Sequence, residues 1–243
     1  MNTQDLPMTL LHVKHVSKSY HTPILKDVSL TINQGELVCL LGKSGSGKST
    51  LLNIIAHIEQ ADTGEVISYE QVAYMQQKDL LLPFKTVLEN ILLPKKIQGT
   101  LTKDIKRKAI NLLEELGLKG TLHHYPSELS GGMKQRVAFA RTIMSEYKLL
   151  LLDEPFSALD YITRTDLQKW YASISKKYQL STLLVTHDID EALLLADKIM
   201  LLDNGTLCSV KILPKDKDMY MLSQQYLMDK KELLMVLTDS FRK

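Results

Sequence analysis

GKSGSGKST, residues 42–50, stands between an unbroken apolar run and an amphipathic one. It fits G-x-x-x-x-G-K-[ST], a glycine-rich loop that cradles phosphate. Upstream, Leu37, Val38, Cys39, Leu40 and Leu41 read as a strand buried on both faces of a parallel sheet. Downstream, TLLNIIAHI puts Leu51, Ile54, Ile55 and Ile58 on one side of a predicted helix. The loop therefore lies between a strand and a helix, the setting this motif requires. Gly42, Gly45 and Gly47 let the backbone approach an anion and adopt positive φ. With Lys43, Ser44, Ser46 and Thr50 they form a loop whose N–H groups, with the free helix N-terminus, face phosphates. Lys48 can reach the β- and γ-phosphates, and the Ser49 hydroxyl can take a Mg²⁺ position. A glycine-rich turn that matches by chance is the competing reading, and the flanking strand and helix weigh against it.

The chain has 243 residues, 44% of them hydrophobic, enough for one large α/β domain or a core with a small subdomain. A formal charge of +2 with scattered basic residues gives no electrostatic footprint for nucleic acid. Cys39 and Cys208 lie far apart in apolar runs and read as buried free thiols, which implies a reducing compartment. The first residues show no basic segment followed by an apolar one, so no signal peptide is expected. The apolar runs fall far short of the roughly 20 residues needed to cross a bilayer. At a membrane, another chain would have to supply the span.

Residues 10–40 read as strands and turns, with Tyr20 near the end of the first strand region. An exposed aromatic there could stack on a purine; ordinary sheet packing is the alternative. GEVISY and QVAYM are two short β runs leading to Gln76 and Gln77. A mostly helical insert is expected over about 84–147, including an amphipathic helix in LTKDIKRKAINLLEELG with Gly117 as its cap. Ser130 looks like an N-cap, and Gly131 and Gly132 open a helix whose free N–H groups suit an anion. Leu149 to Leu152 form a second all-apolar strand ending in Asp153 and Glu154, where α/β sheets bind ligands. Asp153 can hold Mg²⁺ through water and Glu154 can polarise an attacking water; an acidic strand-end loop is the competing reading. A third strand, 182–186, ends at His187, with a helix from Asp188. In the tail, 206–243, CSVKIL reads as a strand and the rest as one or two helices. Met219, Leu222, Tyr226, Leu233, Leu234 and Leu237 are expected to pack on the core, with a Met-rich partner surface as the alternative.

Taken together, these pieces resemble the ATP-binding subunit of ATP-binding-cassette (ABC) transporters over about residues 10–205. The most specific element is LSGGMKQ, 129–135, the signature sequence of that family. The order also matches: Tyr20, Walker A 42–50, Gln77, the signature, Walker B LLLLDE 149–154, SALD 157–160 and His187. The resemblance implies a P-loop NTPase (RecA-like) α/β core with an N-terminal antiparallel β subdomain and an inserted α-helical subdomain. The core would span about 1–83 and 148–205, the insert 84–147 and a C-terminal tail 206–243, all within one ATPase domain.

The family implies that Tyr20 stacks on adenine and that residues 42–50 hold the triphosphate of ATP. Ser49, Gln77 and Asp153 would serve Mg²⁺; Glu154, His187, Gln77 and Lys48 would carry hydrolysis. Spacing to Pro83, Thr86 and Val87 favours Gln77 over Gln76. Ser130, Gly131, Gly132 and Gln135 would meet the ATP held by a second copy, with Asp160 in the seam of that head-to-tail dimer. An integral membrane permease is the implied partner, with a solute-binding protein acting indirectly, placing the chain at the cytoplasmic membrane face. LLLPF, DEPFSALD and THDIDEALLLADKI look most like importers of nitrate, sulfonate, taurine and pyrimidine precursors. His57, Phe84, Tyr147, a short 64–77 segment and the tail depart from the usual pattern. The ATPase of a small exporter and a soluble, non-transport ABC ATPase are the alternatives. A small-molecule kinase would leave LSGGMKQ and SALD unexplained.

Overall fold

The computed structural model describes residues 8–239. In chain order, β1 (Thr9–Ser19), β2 (Pro23–Asn33), β3 (Leu37–Leu41), α1 (Lys48–Ile55), β4 (Thr63–Ser68) and β5 (Val72–Met75) come first. Four helices follow: α2 (Val87–Ile91), α3 (Leu93–Ile97), α4 (Lys103–Glu115) and α5 (Gly131–Ile143). Then come β6 (Leu149–Asp153), α6 (Tyr161–Tyr178), β7 (Ser181–Thr186), α7 (Ile189–Leu195) and β8 (Lys198–Asp203). The tail supplies β9 (Thr206–Ile212), α8 (Lys217–Met221) and α9 (Gln224–Asp239).

The larger sheet runs β5-β6-β7-β3-β8-β9, parallel except where β9 folds back antiparallel on β8. All five residues of β3, β6 and all six of β7 are buried, which is why they read as continuous apolar runs. Successive side chains go to opposite faces. Cys39, Leu41, Leu150, Leu152 and Leu184 pack with the helices. Val38, Leu40, Leu149, Leu151, Leu183 and Val185 pack instead with α1 and the small antiparallel sheet β2-β1-β4. Because β3 sits between β7 and β8, the loop after it opens beside the C-terminal ends of β7 and β6.

Local chemistry fixes the helix ends. Thr86 and Glu89 form a reciprocal capping box at α2. Thr102 caps α4, and Gly117 at φ +68 ends it. Between the helices and the sheet lies an aromatic cluster: Phe139 stands 5.3 Å from the Tyr171 ring, 6.0 Å from Phe156 and 5.9 Å from Trp170. The β8–β9 turn rests on β2: Lys26 N–H donates to Gly205 O at 2.8 Å. Gly205 is at φ +82, and a Cβ there would fall 2.3 Å from Ile24 O, so only glycine fits.

Three expectations change. α1 stops at Ile55, and His57 turns to φ +56, so Ile58 leaves the apolar face and is 60% exposed. Cys208 is exposed because β9 is the sheet's edge strand, while Cys39 is buried in the central strand. In the tail, Leu233 is buried and Tyr226 and Leu237 pack on the core, but Met219, Leu222 and Leu234 are exposed. One side of α9 meets the core, and α8 turns Tyr220 inward instead. Residues 1–7 and 240–243 lie outside the described residues. Among the described residues, no helix is long and apolar enough to cross a membrane.

Phe139 is fully buried. Phe139→Ala should therefore destabilise the protein by about 3–5 kcal/mol, read as a lower urea midpoint. Phe84→Ala, at an exposed position, should stay within about 0.5 kcal/mol of the parent.

Candidate active site

The loop after β3 is shaped by close backbone packing. Gly47 precedes α1 at φ +104, and a Cβ there would fall 2.8 Å from Leu25 Cδ2 and 3.0 Å from Ile24 O. Gly42 backs onto Leu202 O, 2.4 Å from where a Cβ would lie. Gly45, at φ +80, faces open space. The Ser46 hydroxyl is buried with no hydrogen-bond partner, an unfilled capacity in a loop lined with amides. Lys48 is 7% exposed and donates to Gly42 O and Lys43 O, both at 2.7 Å. Burial lowers its pKa, opposed by the charges of Glu154 and Asp153. Ser44 is exposed, Lys43 and Thr50 half-buried. Tyr20 is 59% exposed, and its hydroxyl donates to Glu59 and lies against Thr50.

Two acids arrive from the end of β6. Ser49 Oγ donates to Asp153 Oδ2 at 2.8 Å. Burial raises the Asp153 carboxyl, and the Ser49 hydrogen bond opposes the rise. The charge of Lys48 opposes it as well, and the carboxylate presents oxygens of the kind that hold a hard cation. Glu154 is held at both oxygens: His187 Nδ1 lies 3.1 Å from Oε1, and Gln77 Nε2 donates to Oε2 at 3.1 Å. Its N–H donates to Val185 O at 2.9 Å, and its φ is +49. A non-glycine residue there costs on the order of 1–3 kcal/mol, a strain sustained by the surrounding bonds. Lys48, Ser49, Gln77, Asp153, Glu154 and His187 are thus gathered from four strand ends.

The other expected residues form a separate edge. Ser130 Oγ accepts from Met133 N–H at 3.3 Å, capping α5, and Ser130 and Gly131 are exposed. Gly132 sits over Leu159, whose Cδ2 would be 3.1 Å from a Cβ. Asp160 caps α6, and hydrogen bonds from Thr163 hold its carboxyl below the usual range. Gln135 differs from its expected place among nucleotide contacts. It is 5% exposed, donates to Glu154 O at 2.9 Å and accepts from Ala158 N–H at 2.9 Å. Both ends of its amide are spent inside the chain, linking α5 to the Glu154 loop.

Two residues escaped the sequence reading. Arg164 Nη2 donates to Leu159 O at 3.0 Å, and Nη1 lies 3.5 Å from Asp188 Oδ2. It thereby joins the loop before α6 to the turn after His187. Glu191 is 5% exposed, its Oε2 accepting from Gln168 Nε2 at 3.3 Å and its Oε1 without a partner. The only signal for it was a carboxylate inside the apolar run IDEALLL.

A phosphate-shaped loop ahead of a helix, with a buried lysine and paired acids at neighbouring strand ends, defines a P-loop nucleoside triphosphatase. The ABC transporter family model matches residues 25–157, and the chain belongs to that family. It is similar to the formylaminopyrimidine import ATP-binding protein ThiZ of Halalkalibacterium halodurans, 45% identical over 202 residues, covering 82% of this chain and 81% of that one. The aliphatic sulfonates import ATP-binding protein SsuB 1 of Shouchella clausii is 43% identical over 202 residues, covering 82% and 79%. Among solved structures, the dimeric post-hydrolysis state of the ATP-binding cassette MJ0796 bound to ADP and Pi superposes with a TM-score of 0.78. The identity there is 31%, covering 84% of this chain and 99% of that one. The chain is an ABC-type ATPase.

Burial and then Asp188 push the Glu191 carboxyl from 4.5 up to about 8. The fold thus keeps a proton that the unfolded chain has released, and stability falls as pH rises from 4.5 to about 8. Glu191→Gln removes that dependence. Its stability advantage over the parent, from urea midpoints, should grow from pH 4.5 to about 8 and then level off. A pH-independent difference would show that folding does not raise the Glu191 pKa.

Proposed function

We propose that this chain is the ATP-hydrolysing subunit of an importer for a small organic or anionic solute. The observation that carries the chemistry is Glu154, held by Gln77 and His187 beside the phosphate loop. Lys48 would exchange its carbonyl partners for the β- and γ-phosphates, and the Ser46 hydroxyl would gain the partner it lacks. The backbone of residues 42–50 would hold the triphosphate, and the exposed Tyr20 ring would stack on adenine. Ser49, Asp153 and Gln77 offer oxygens suited to Mg²⁺. Among the described residues no three His, Cys, Asp or Glu side chains could hold a metal by themselves, so phosphate oxygens would complete the set. Mg²⁺, when bound, would neutralise charge on the β- and γ-phosphates. Glu154 would accept a proton from the attacking water, with His187 holding the carboxylate and reaching the γ-phosphate.

Ser130, Gly131, Gly132 and Asp160 are read as the face offered to ATP on a second copy, in a head-to-tail dimer. The exposure of Ser130, Gly131 and Asp160, and the dimeric state of the MJ0796 cassette, support this. A membrane permease is the proposed partner, and the exposed Leu80 and Phe84, in the segment that follows Gln77, would be the surface for it. The chain would then lie at the cytoplasmic face, peripheral through that permease, with a solute-binding protein acting from the other side. Import is supported by the names of both relatives above. The division into a core, the insert 84–147 and the tail 206–243 belongs to the same reading.

Glu154→Gln should retain ATP affinity, lose at least about 100-fold in turnover, and shift from monomer to dimer with Mg²⁺-free ATP in size-exclusion light scattering. Lys48→Ala should lose ATP binding itself. Wild-type turnover in Glu154→Gln would remove Glu154 from the chemistry; a monomer that still binds ATP would remove the split site from the isolated chain.

A further inference from the structure

α7 begins two residues after His187, and the tail grips it at both ends. At its N-terminal turn, Asp190 accepts from the Tyr226 hydroxyl and pairs with Lys230 Nζ at 2.7 Å. Just past its C-terminal end, Ala196 O accepts from Lys217 Nζ. Lys217 is half-buried there, and burial lowers its pKa to about 8, opposed by Asp197.

The grip is itself anchored. Asp229, between Tyr226 and Lys230 in sequence, is 2% exposed. It accepts from Tyr220 Oη at 2.7 Å and Gln225 Nε2 at 2.6 Å, and pairs with Lys211 of β9 at 2.9 Å. The Tyr220 and Tyr226 rings meet edge to face at 5.9 Å, and Leu233 seats α9 in the core. β9, α8 and α9 are thereby joined: β9 is anchored on β8, while Tyr226 and Lys230 of α9 and Lys217 of α8 reach the two ends of α7.

From the core side, α7 leads back to the chemistry. Asp188 caps it by accepting from Asp190 N–H and Glu191 N–H at 2.9 and 3.2 Å. The preceding residue is His187, 3.1 Å from Glu154. The buried Ile189, Ala192, Leu193 and Leu195 seat α7 in the core, and in so short a helix the exact placement of the two ends is left to the contacts made there. We propose that the tail is a clamp on α7 that fixes His187 against Glu154, making Tyr226, Lys230 and Lys217 positioning residues for ATP hydrolysis. This rests on the reading that Glu154 and His187 serve the hydrolytic step. Asp190 is half exposed, with a side-chain exposure of 53%. Its ion pair therefore adds little to global stability, whereas reacting groups tolerate very little displacement. Rate and stability should separate.

The test uses the full chain with Tyr226→Phe/Lys230→Met and, separately, Lys217→Met. ATPase kcat should fall about 3–10-fold, with KM for ATP within about twofold and the melting temperature nearly unchanged. Lys230→Arg should restore the rate lost in Lys230→Met. In a Glu154→Gln background the clamp substitutions should cause no further loss, since both act on one step. An unchanged kcat would overturn the clamp. So would a loss that persists in full in the Glu154→Gln background, or one that follows KM or melting temperature. If Glu154→Gln alone keeps wild-type turnover, the reading of the site fails instead, and the two failures are told apart.

Discussion

A buried ammonium among backbone carbonyls is the constraint around which this structure is arranged. Lys48 is removed from water, and its bonds to Gly42 O and Lys43 O turn the loop back on itself. That is tolerable only because Asp153 and Glu154 stand close enough to favour the charge. Those acids are near only because β6 and β7 line up beside β3 in the sheet. The sheet can hold this order because both of its faces are covered, by the helices on one side and by α1 with the antiparallel sheet on the other. Remove either layer and β3 would expose apolar side chains at the base of the loop.

The parts that were legible in the sequence are those where local chemistry and fold agree. The apolar runs of β3, β6 and β7, the glycines of residues 42–50 and the cap at Ser130 all speak within a few residues of themselves. Glu154 and His187 could be placed on one sheet edge as strand ends, but the convergence of Gln77 with them was not legible from the residues alone, since strand order brings them together across long stretches of chain. The family resemblance supplied that grouping. Gln135 was placed among the nucleotide contacts through the signature sequence, and nothing local showed that its amide would instead join α5 to the Glu154 loop. The tail was harder because α9 carries apolar residues on more than one side: Leu233 goes inward, and Leu227, Met228, Leu234 and Met235 stay exposed. Periodicity cannot choose a face when several are apolar.

Buried or half-buried ionisable groups recur outside the phosphate loop, at junctions between elements. Asp229 joins β9, α8 and α9, with three donors around it. Arg164 joins the loop before α6 to the turn after His187, yet its Nε is buried without a partner. Glu191 lies nearby on the adjoining helix with one oxygen in the same condition. A fully satisfied network rigidifies a junction, and a partly satisfied one is a place where a second arrangement costs little more than the first. By that measure the tail is the fixed side of α7 and the α6 side is the adjustable one.

The strained backbone of Glu154 shows what such adjustability can act upon. Its positive φ is held by Val185 O from β7 and by Gln135 from α5. Gln135 lies five residues beyond Ser130 on one rigid helix, so the exposed end of α5 and the Glu154 loop cannot move independently. His187, just past the end of the same β7, and Gln77, just past β5, meet the Glu154 carboxylate. A push on any of these elements is therefore felt at one side chain. Placing the least relaxed backbone of the site where four elements meet makes the position of that carboxylate a property of the whole domain rather than of its own loop.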